Sequence, residues 1–287
     1  MARIVLGNRD GALALAQARS AVSELAAEWP DVHLVQRTIP ASQPDGDFPA
    51  LFGALEKGNV HIALVSLERL PEALPEGIAL AAVTKRLEPR SALVAKGRAG
   101  LVDLPAGTRV GVLSERDRTF LWASGHDFNV ELLSGMIDRD LGLLASGDLD
   151  ALILPCSTMM ALERRDRVTA LLEPESFVPA VGQGSLGLLV REDDDMSFEI
   201  AYTLQHRPSF DRFAAERSFQ QALREEGLSV GALASVAPDG ELTLLGAVAQ
   251  KEGPVLQGTV SGEASEAEEL GRELAQDVLE QLKRVRA

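Results

Sequence analysis

Several charged side chains follow the ends of predicted strands, where they could contact a ligand. Arg9 follows a strand predicted over residues 3–8, and Glu68 and Arg69 follow a strand predicted over residues 60–66. Ligands of α/β proteins bind in the crevice at the carboxyl ends of the strands, and guanidinium groups bind carboxylates well. We therefore expect Arg9 to face a ligand. Glu68 and Arg69 either bind a ligand or form a structural ion pair.

A second group of candidates lies at the start of a helix predicted over residues 115–124. Ser114 and Arg116 stand at this start, and Asp117 follows Ser114 by three positions. Backbone N–H groups at a helix N-terminus can hold an anion. The same Ser–Asp spacing is also typical of a helix cap. The sequence leaves both interpretations open.

The single cysteine, Cys156, excludes an internal disulfide and any site with several cysteine ligands. It follows a predicted strand and precedes a helix, so it is either a reactive thiol at a helix N-terminus or an inert core residue. The four histidines have no ligand spacing, and we expect no metal site. They are His33, His61, His126 and His206.

Charge and hydropathy limit the classes of partner. The 287 residues carry 28 basic and 43 acidic side chains, a net charge of −15. Such a surface repels nucleic acid and anionic lipid, so we expect neither nucleic acid nor membrane as a partner. No apolar run approaches the roughly 20 residues of a membrane span, and no signal peptide is recognisable. We expect a cytoplasmic monomer with a small-molecule ligand.

Strand and helix signals alternate through the first two thirds of the chain, which predicts mainly parallel sheets flanked by helices. After about residue 208 the pattern changes to one long helix, three strand-like runs with a hairpin turn, and a final helix. The predicted fold class is α/β, with two periplasmic-binding-protein-like α/β lobes, an interlobe cleft for a ligand, and a small α+β C-terminal domain containing a three-stranded antiparallel sheet. The predicted domains are 1–85 plus 180–204, 86–179, and 205–287.

Six segments, in a fixed order along the chain, resemble the porphobilinogen deaminase (hydroxymethylbilane synthase) family of tetrapyrrole (heme) biosynthesis. The most recognisable is Pro179–Gly187, which reads PAVGQGSLG. The other five are Arg3–Ala18, His61–Pro71, Leu104–Arg116, Gly147–Leu154 and Ala215–Phe219.

The resemblance implies a three-domain protein with a ligand cleft between its first two domains. In the family, a cysteine on the third domain holds a dipyrromethane cofactor through a thioether. Four porphobilinogen units are added to this cofactor with loss of ammonia, and the tetrapyrrole is released by hydrolysis. An aspartate stabilises the cationic pyrroles, and arginines and lysines neutralise the acetate and propionate groups.

The sequence departs from this pattern where the chemistry occurs. There is no cysteine near Gly227, so we expect no dipyrromethane cofactor and no cofactor-binding residue. Glu68 and Arg69 occupy the family's lysine and aspartate positions, so no catalytic residue is assigned. Five positions keep the family's residues and are predicted to bind the ligand. They are Arg9, Gln17, Ser66, Ser114 and Arg116.

Further departures remove positive charge from the second lobe. Asp117 and Asp140 stand where the family has arginines, and its arginine–glycine–asparagine turn reads Ser134-Gly135-Met136. The family's mobile, lysine-bearing loop is shortened to about Ala41–Asp47.

Three functions fit these departures. The first is a catalytically silent, ligand-binding or regulatory homologue. The second is a working hydroxymethylbilane synthase with unusual residues. The third is a different enzyme that reuses the cleft, with Glu68 or Cys156 as its active group.

Overall fold

The computed structural model describes residues 2–40, 48–97, 100–251 and 253–286. The described chain forms two compact units. The first contains Met1–Leu87 and Ser185–Phe210, and the second contains Glu88–Gly184 and Asp211–Ala287. The division into three domains stays a prediction, and the shortened loop at 41–47 lies outside the described residues.

The helices and strands of the described residues follow the alternation that the sequence indicates. The strands are β1 (Ala2–Arg9), β2 (Val32–Ile39), β3 (Ile62–Ser66), β4 (Ile78–Val83), β5 (Ser91–Ala95), β6 (Arg109–Val112), β7 (Asn129–Leu132), β8 (Ala151–Pro155), β9 (Ala170–Leu171), β10 (Leu186–Arg191), β11 (Ser229–Val236), β12 (Glu241–Ala249) and β13 (Leu256–Glu263). The helices are α1 (Ala12–Glu28), α2 (Phe48–Glu56), α3 (Glu115–Ala123), α4 (Ile137–Ser146), α5 (Cys156–Ala161), α6 (Asp195–Tyr202), α7 (Arg207–Ala222) and α8 (Ala267–Arg286).

The first unit contains a five-stranded mixed sheet in the order β2-β1-β3-β10-β4. Strand β1 runs parallel to β2 and β3, whereas β10 is antiparallel to β3 and β4. Alternate residues of β1 and β3, such as Leu6 and Ile62, pack against Leu25 of α1 in one core. This packing places the carboxyl ends of β1 and β3 next to each other at one edge of the sheet.

The second unit contains another five-stranded mixed sheet, in the order β7-β6-β8-β5-β9, and a three-stranded antiparallel sheet, β11-β12-β13. Strand β6 is parallel to β7 and β8. Val110 of β6, Phe120 of α3, Phe177, and Ala247 of β12 belong to one core, so the two sheets share buried apolar side chains.

These sheets confirm the predicted α/β class with a small antiparallel sheet and helices. The expectation of mainly parallel sheets is wrong, because each five-stranded sheet has two parallel and two antiparallel pairings. Gly246 of β12 lies where a Cβ atom would stand 2.6 Å from the Phe219 ring of α7, so a larger residue would separate α7 from the sheet. Among the described residues, no helix is both long and apolar enough to cross a membrane.

Candidate functional site

The carboxyl edge of the first sheet brings together most of the predicted ligand residues. Arg9 ends β1 and Ser66 ends β3, and these two strands are neighbours. Ser66 Oγ lies 3.5 Å from Oε1 of Gln17, which belongs to helix α1. Glu68 and Arg69 follow immediately in a 3-10 turn over Leu67–Arg69. One edge of the first unit is therefore lined by Arg9, Gln17, Ser66, Glu68 and Arg69.

The backbone of Arg9 is fixed by its buried neighbour Asn8. Asn8 Nδ2 donates to the Arg9 carbonyl oxygen at 2.7 Å, and Asn8 Oδ1 accepts from Gln36 Nε2 at 3.0 Å. Burial, followed by the positive charge of Arg69, lowers the pKa of Arg9 to about 10. Two guanidinium groups close enough to repel each other form a local positive potential that favours an anion.

The turn that carries Glu68 and Arg69 is held by the signature segment. The Leu67 N–H donates to the Ser185 carbonyl oxygen at 3.1 Å, and the Leu67 side chain is 1% exposed. A Cβ atom at Gly187 would stand 2.6 Å from Leu67 Cδ2, so this glycine allows the close approach of β10. The glycine-rich segment thus positions the turn.

In the second unit, Ser114 is the N-cap of α3. Its Oγ accepts from the Asp117 N–H at 3.1 Å and donates to Asp117 Oδ2 at 2.8 Å. The structure therefore shows the capping contacts that the sequence left as one of two alternatives, and ligand binding by Ser114 stays a prediction.

Arg116 connects three parts of the second unit. Its Nε donates to the Val230 carbonyl oxygen at 3.0 Å, and its Nη2 donates to the Val178 carbonyl oxygen. Its Nη1 pairs with Asp117, and the guanidinium lies 4.4 Å from the centroid of the Phe120 ring. The side chain is only 13% exposed. Arg116 thus joins the Val178 and Val230 backbone segments to helix α3, and we call this arrangement a structural clamp. The predicted ligand contact of Arg116 stays a prediction.

A second clamp on the same segment was not predicted from the sequence. Glu216 of α7 is fully buried, and its carboxylate accepts from the N–H groups of Gly182 and Ala234, each at 2.8 Å. The Ala232 N–H donates to the Pro179 carbonyl oxygen at 3.0 Å. The available signal was a glutamate placed three residues from both Phe213 and Phe219 on helix α7, because a carboxylate buried among aromatic residues needs hydrogen-bond donors.

A serine and a buried aspartate are in contact at two positions where the resemblance implies arginines. Asp140 of α4 is 1% exposed, and its Oδ1 accepts from Ser134 Oγ at 2.9 Å. Within the part of the chain that the structure describes, Asp140 Oδ2 has no hydrogen-bond partner.

Cys156 is 1% exposed, and burial raises the pKa of its thiol. Such a thiol is a weak nucleophile because little of it is thiolate at neutral pH. No group of three metal-ligating side chains occurs among the described residues.

Comparisons with known proteins support the family resemblance of the six sequence segments. Residues 4–199 match the family model "Porphobilinogen deaminase, dipyromethane cofactor binding domain". Porphobilinogen deaminase of Thermus thermophilus is 40% identical over 288 residues, covering 97% of this chain and 96% of that protein. Porphobilinogen deaminase of Deinococcus radiodurans is 35% identical over 298 residues, covering 98% and 96%.

Among solved structures, the chain is similar to the periplasmic aliphatic sulphonate binding protein from Escherichia coli. It is 16% identical, with a TM-score of 0.45, and the match covers 79% of this chain and 72% of that chain.

The match corrects one expectation. The prediction that the chain has no dipyrromethane cofactor is wrong, because residues 4–199 match the family's domain for binding that cofactor. Arg9 and Arg69 fit the carboxylates of such a group. The buried thiol of Cys156 does not fit a thioether to it, and it is the only thiol in the sequence. The described residues therefore do not fit a dipyrromethane attached through a thioether.

Proposed function

Because the chain belongs to the porphobilinogen deaminase family of tetrapyrrole biosynthesis, we propose that it binds a linear pyrrole with carboxylate side chains and does not polymerise porphobilinogen. The ligand is dipyrromethane or its single-ring unit, held without a covalent bond. The observation that carries this proposal is the position of Arg69, in the family's aspartate position and close enough to Arg9 to lower its pKa.

The positive charge of Arg69 has opposite effects on the binding of porphobilinogen and on its polymerisation. A carboxylate there would stabilise a cationic pyrrole, whereas a guanidinium repels it. The same guanidinium attracts acetate and propionate groups, and each hydrogen bond between opposite charges contributes about 1.5–3 kcal/mol. Arg69 thus favours the anionic ground state of the ligand over the cation that polymerisation requires.

Equilibrium dialysis with porphobilinogen tests the binding, and absorbance of uroporphyrin after oxidation tests the turnover. We expect saturable binding, no uroporphyrin and an unchanged intact mass. Arg9→Met and Arg69→Met should each weaken binding about ten- to hundred-fold, as loss of one charge-assisted hydrogen bond predicts.

Arg19→Met is the matched control, because Arg19 is an exposed arginine on helix α1 of the same unit. It should leave binding unchanged. Uroporphyrin formation, a covalent pyrrole adduct, or an absence of porphobilinogen binding would each overturn the proposal.

A second candidate is a working synthase that uses Glu68. The observation in its favour is that Glu68 places a partly buried carboxylate one residue before Arg69. This candidate predicts uroporphyrin formation that Glu68→Gln abolishes, with binding of porphobilinogen retained.

A further inference from the structure

Helix α6 of the first unit exposes a stacked aromatic pair. Phe198 and Tyr202 lie four residues apart on this helix, with ring centroids 5.8 Å apart and planes within 14° of each other. Their exposed fractions are 41% and 54%, and Met196 of the same helix is 45% exposed. Single exposed apolar residues are ordinary on protein surfaces, but two large rings stacked on one exposed helix face are typical of an interaction site.

Exposed carboxylates surround this pair. Asp195 and Glu199 belong to the same helix, and Glu192 and Asp193 precede its N-cap, Asp194. All four are exposed, and Asp193 also pairs with Arg191. We call Asp195, Phe198, Glu199 and Tyr202, with these two preceding residues, the α6 surface. A face that combines aromatic rings with carboxylates suits a cation that also has a flat apolar plane.

The α6 surface continues onto the end of helix α1. Trp29 Nε1 donates to Oγ1 of Thr203 at 2.8 Å, which joins the ends of the two helices. The exposed carboxylates of Glu28 and Asp31 flank Trp29. Negative charge therefore extends along both helices.

This surface is separate from the candidate ligand site. Trp29 precedes Val32, which pairs with Ala2 at the start of β1, whereas Arg9 stands at the other end of the same strand. Seven residues of strand span about 23 Å. An occupant of the α6 surface would therefore not compete with a ligand at Arg9.

We propose that the α6 surface binds an arginine-containing segment of another protein. Guanidinium planes stack on the rings of Phe198 and Tyr202, while the neighbouring carboxylates pair with the positive charges. Charge complementarity selects a basic partner. It disfavours a second copy of this chain, because two chains of net charge −15 repel each other.

The sequence supplies a specific probe, because Tyr202 is its only tyrosine. Protein labelled with 3-fluorotyrosine gives one fluorine NMR resonance, located on this surface. We expect a saturable shift on titration with a ten-residue peptide of alternating arginine and glycine. The same peptide with lysine in place of arginine should bind more weakly, because an ammonium group lacks the flat face that stacks on aromatic rings.

Substitutions on the surface test the two contributions separately. Phe198→Ala should weaken binding of the arginine peptide about two- to five-fold, the effect of one exposed cation–π contact. Glu199→Gln should weaken binding and reduce its dependence on salt. Glu273→Gln, an exposed glutamate of α8 in the other unit, is the matched control and should have no effect.

Three results would overturn the proposal. The first is the absence of a shift at about 5 mM peptide, because weak specific contacts have dissociation constants in the mM range. The second is equal binding of both peptides with no effect of Phe198→Ala. The third is a shift that depends on protein concentration without peptide, which would indicate self-association. Porphobilinogen binding should be unchanged in the surface variants, so failure here is distinguishable from failure of the proposed function.

Discussion

Replacing Arg116 with methionine separates the two roles considered for this side chain. Methionine has a similar length but removes the guanidinium, which donates to the carbonyl oxygens of Val178 and Val230 and lies over the Phe120 ring. Both oxygens lose a charged donor, and Asp117 loses its ion-pair partner. A structural clamp predicts lower stability of the second unit, whereas a ligand contact predicts lower affinity.

The size of the effect follows from these contacts. A hydrogen bond from a charged donor contributes about 1.5–3 kcal/mol, so loss of two amounts to about 3–6 kcal/mol. Water entering at the freed carbonyl groups reduces this value, and we expect a loss of about 3–4 kcal/mol in the free energy of unfolding. Arg116→Lys should recover less than half of it, because one ammonium group cannot reproduce the planar fork of donors.

Urea unfolding followed by tryptophan fluorescence measures this loss of stability. In a Trp29→Phe background, Trp122 of helix α3 is the only tryptophan and reports on the second unit. Arg139→Met is the control, because Arg139 is exposed on α4 of the same unit. Its effect should stay below about 0.5 kcal/mol. If Arg116→Met changes stability by less than about 1 kcal/mol and abolishes porphobilinogen binding, the clamp interpretation is refuted.

Three further predictions follow from local contacts. Gly231→Ala should destabilise the second unit by about 1–3 kcal/mol in the same urea assay, because its Cβ would stand 3.0 Å from the Val178 carbonyl oxygen and closer still to Arg116. Cys156 should resist iodoacetamide in the native protein and react fully in urea, because its thiol is buried and has a raised pKa. Rapid labelling of the native protein would instead support Cys156 as a reactive group. Arg109 lowers the pKa of Asp150 to about 2 from its ordinary 3.8. The stability from this pair is complete above that ordinary value and is lost as the pH falls towards 2, so Asp150→Asn should flatten acid unfolding between about pH 4 and 2.

The sequence predicted strands well where apolar and polar residues alternate or where turn signals bound the run. The sequence predicts strands over Val32–Ile39 and Ser229–Val236, and β2 and β11 have these bounds. No element was predicted for β4, whose sequence IALAAV is alanine-rich and lacks a period, or for the eight-residue helix α6. Both depend on packing against β10, a contact that local sequence does not contain.

The candidate site was predictable where it depends on strand ends and unpredictable where it depends on distant partners. Arg9 and Ser66 were expected at one edge because parallel neighbouring strands end together, and the structure brings them there. The partners of Arg116 lie 62 and 114 residues away along the chain, so no local pattern could identify them. The sequence alone therefore does not distinguish an arginine that binds distant backbone oxygens from an arginine that binds a ligand.

The charges at the two sheet edges lead to one conclusion about ligand binding. In the second unit, Arg116 is paired with Asp117 and two carbonyl oxygens, and Asp140 adds a buried carboxylate. In the first unit, Arg69 is exposed and adds its charge to that of Arg9. Among the residues that the sequence singled out, positive charge that an anionic pyrrole can reach therefore belongs to the first unit. This distribution supports the proposal that the chain binds a pyrrole without polymerising it, because a growing chain needs its added carboxylates neutralised at each step, whereas a single bound pyrrole needs one cationic pair.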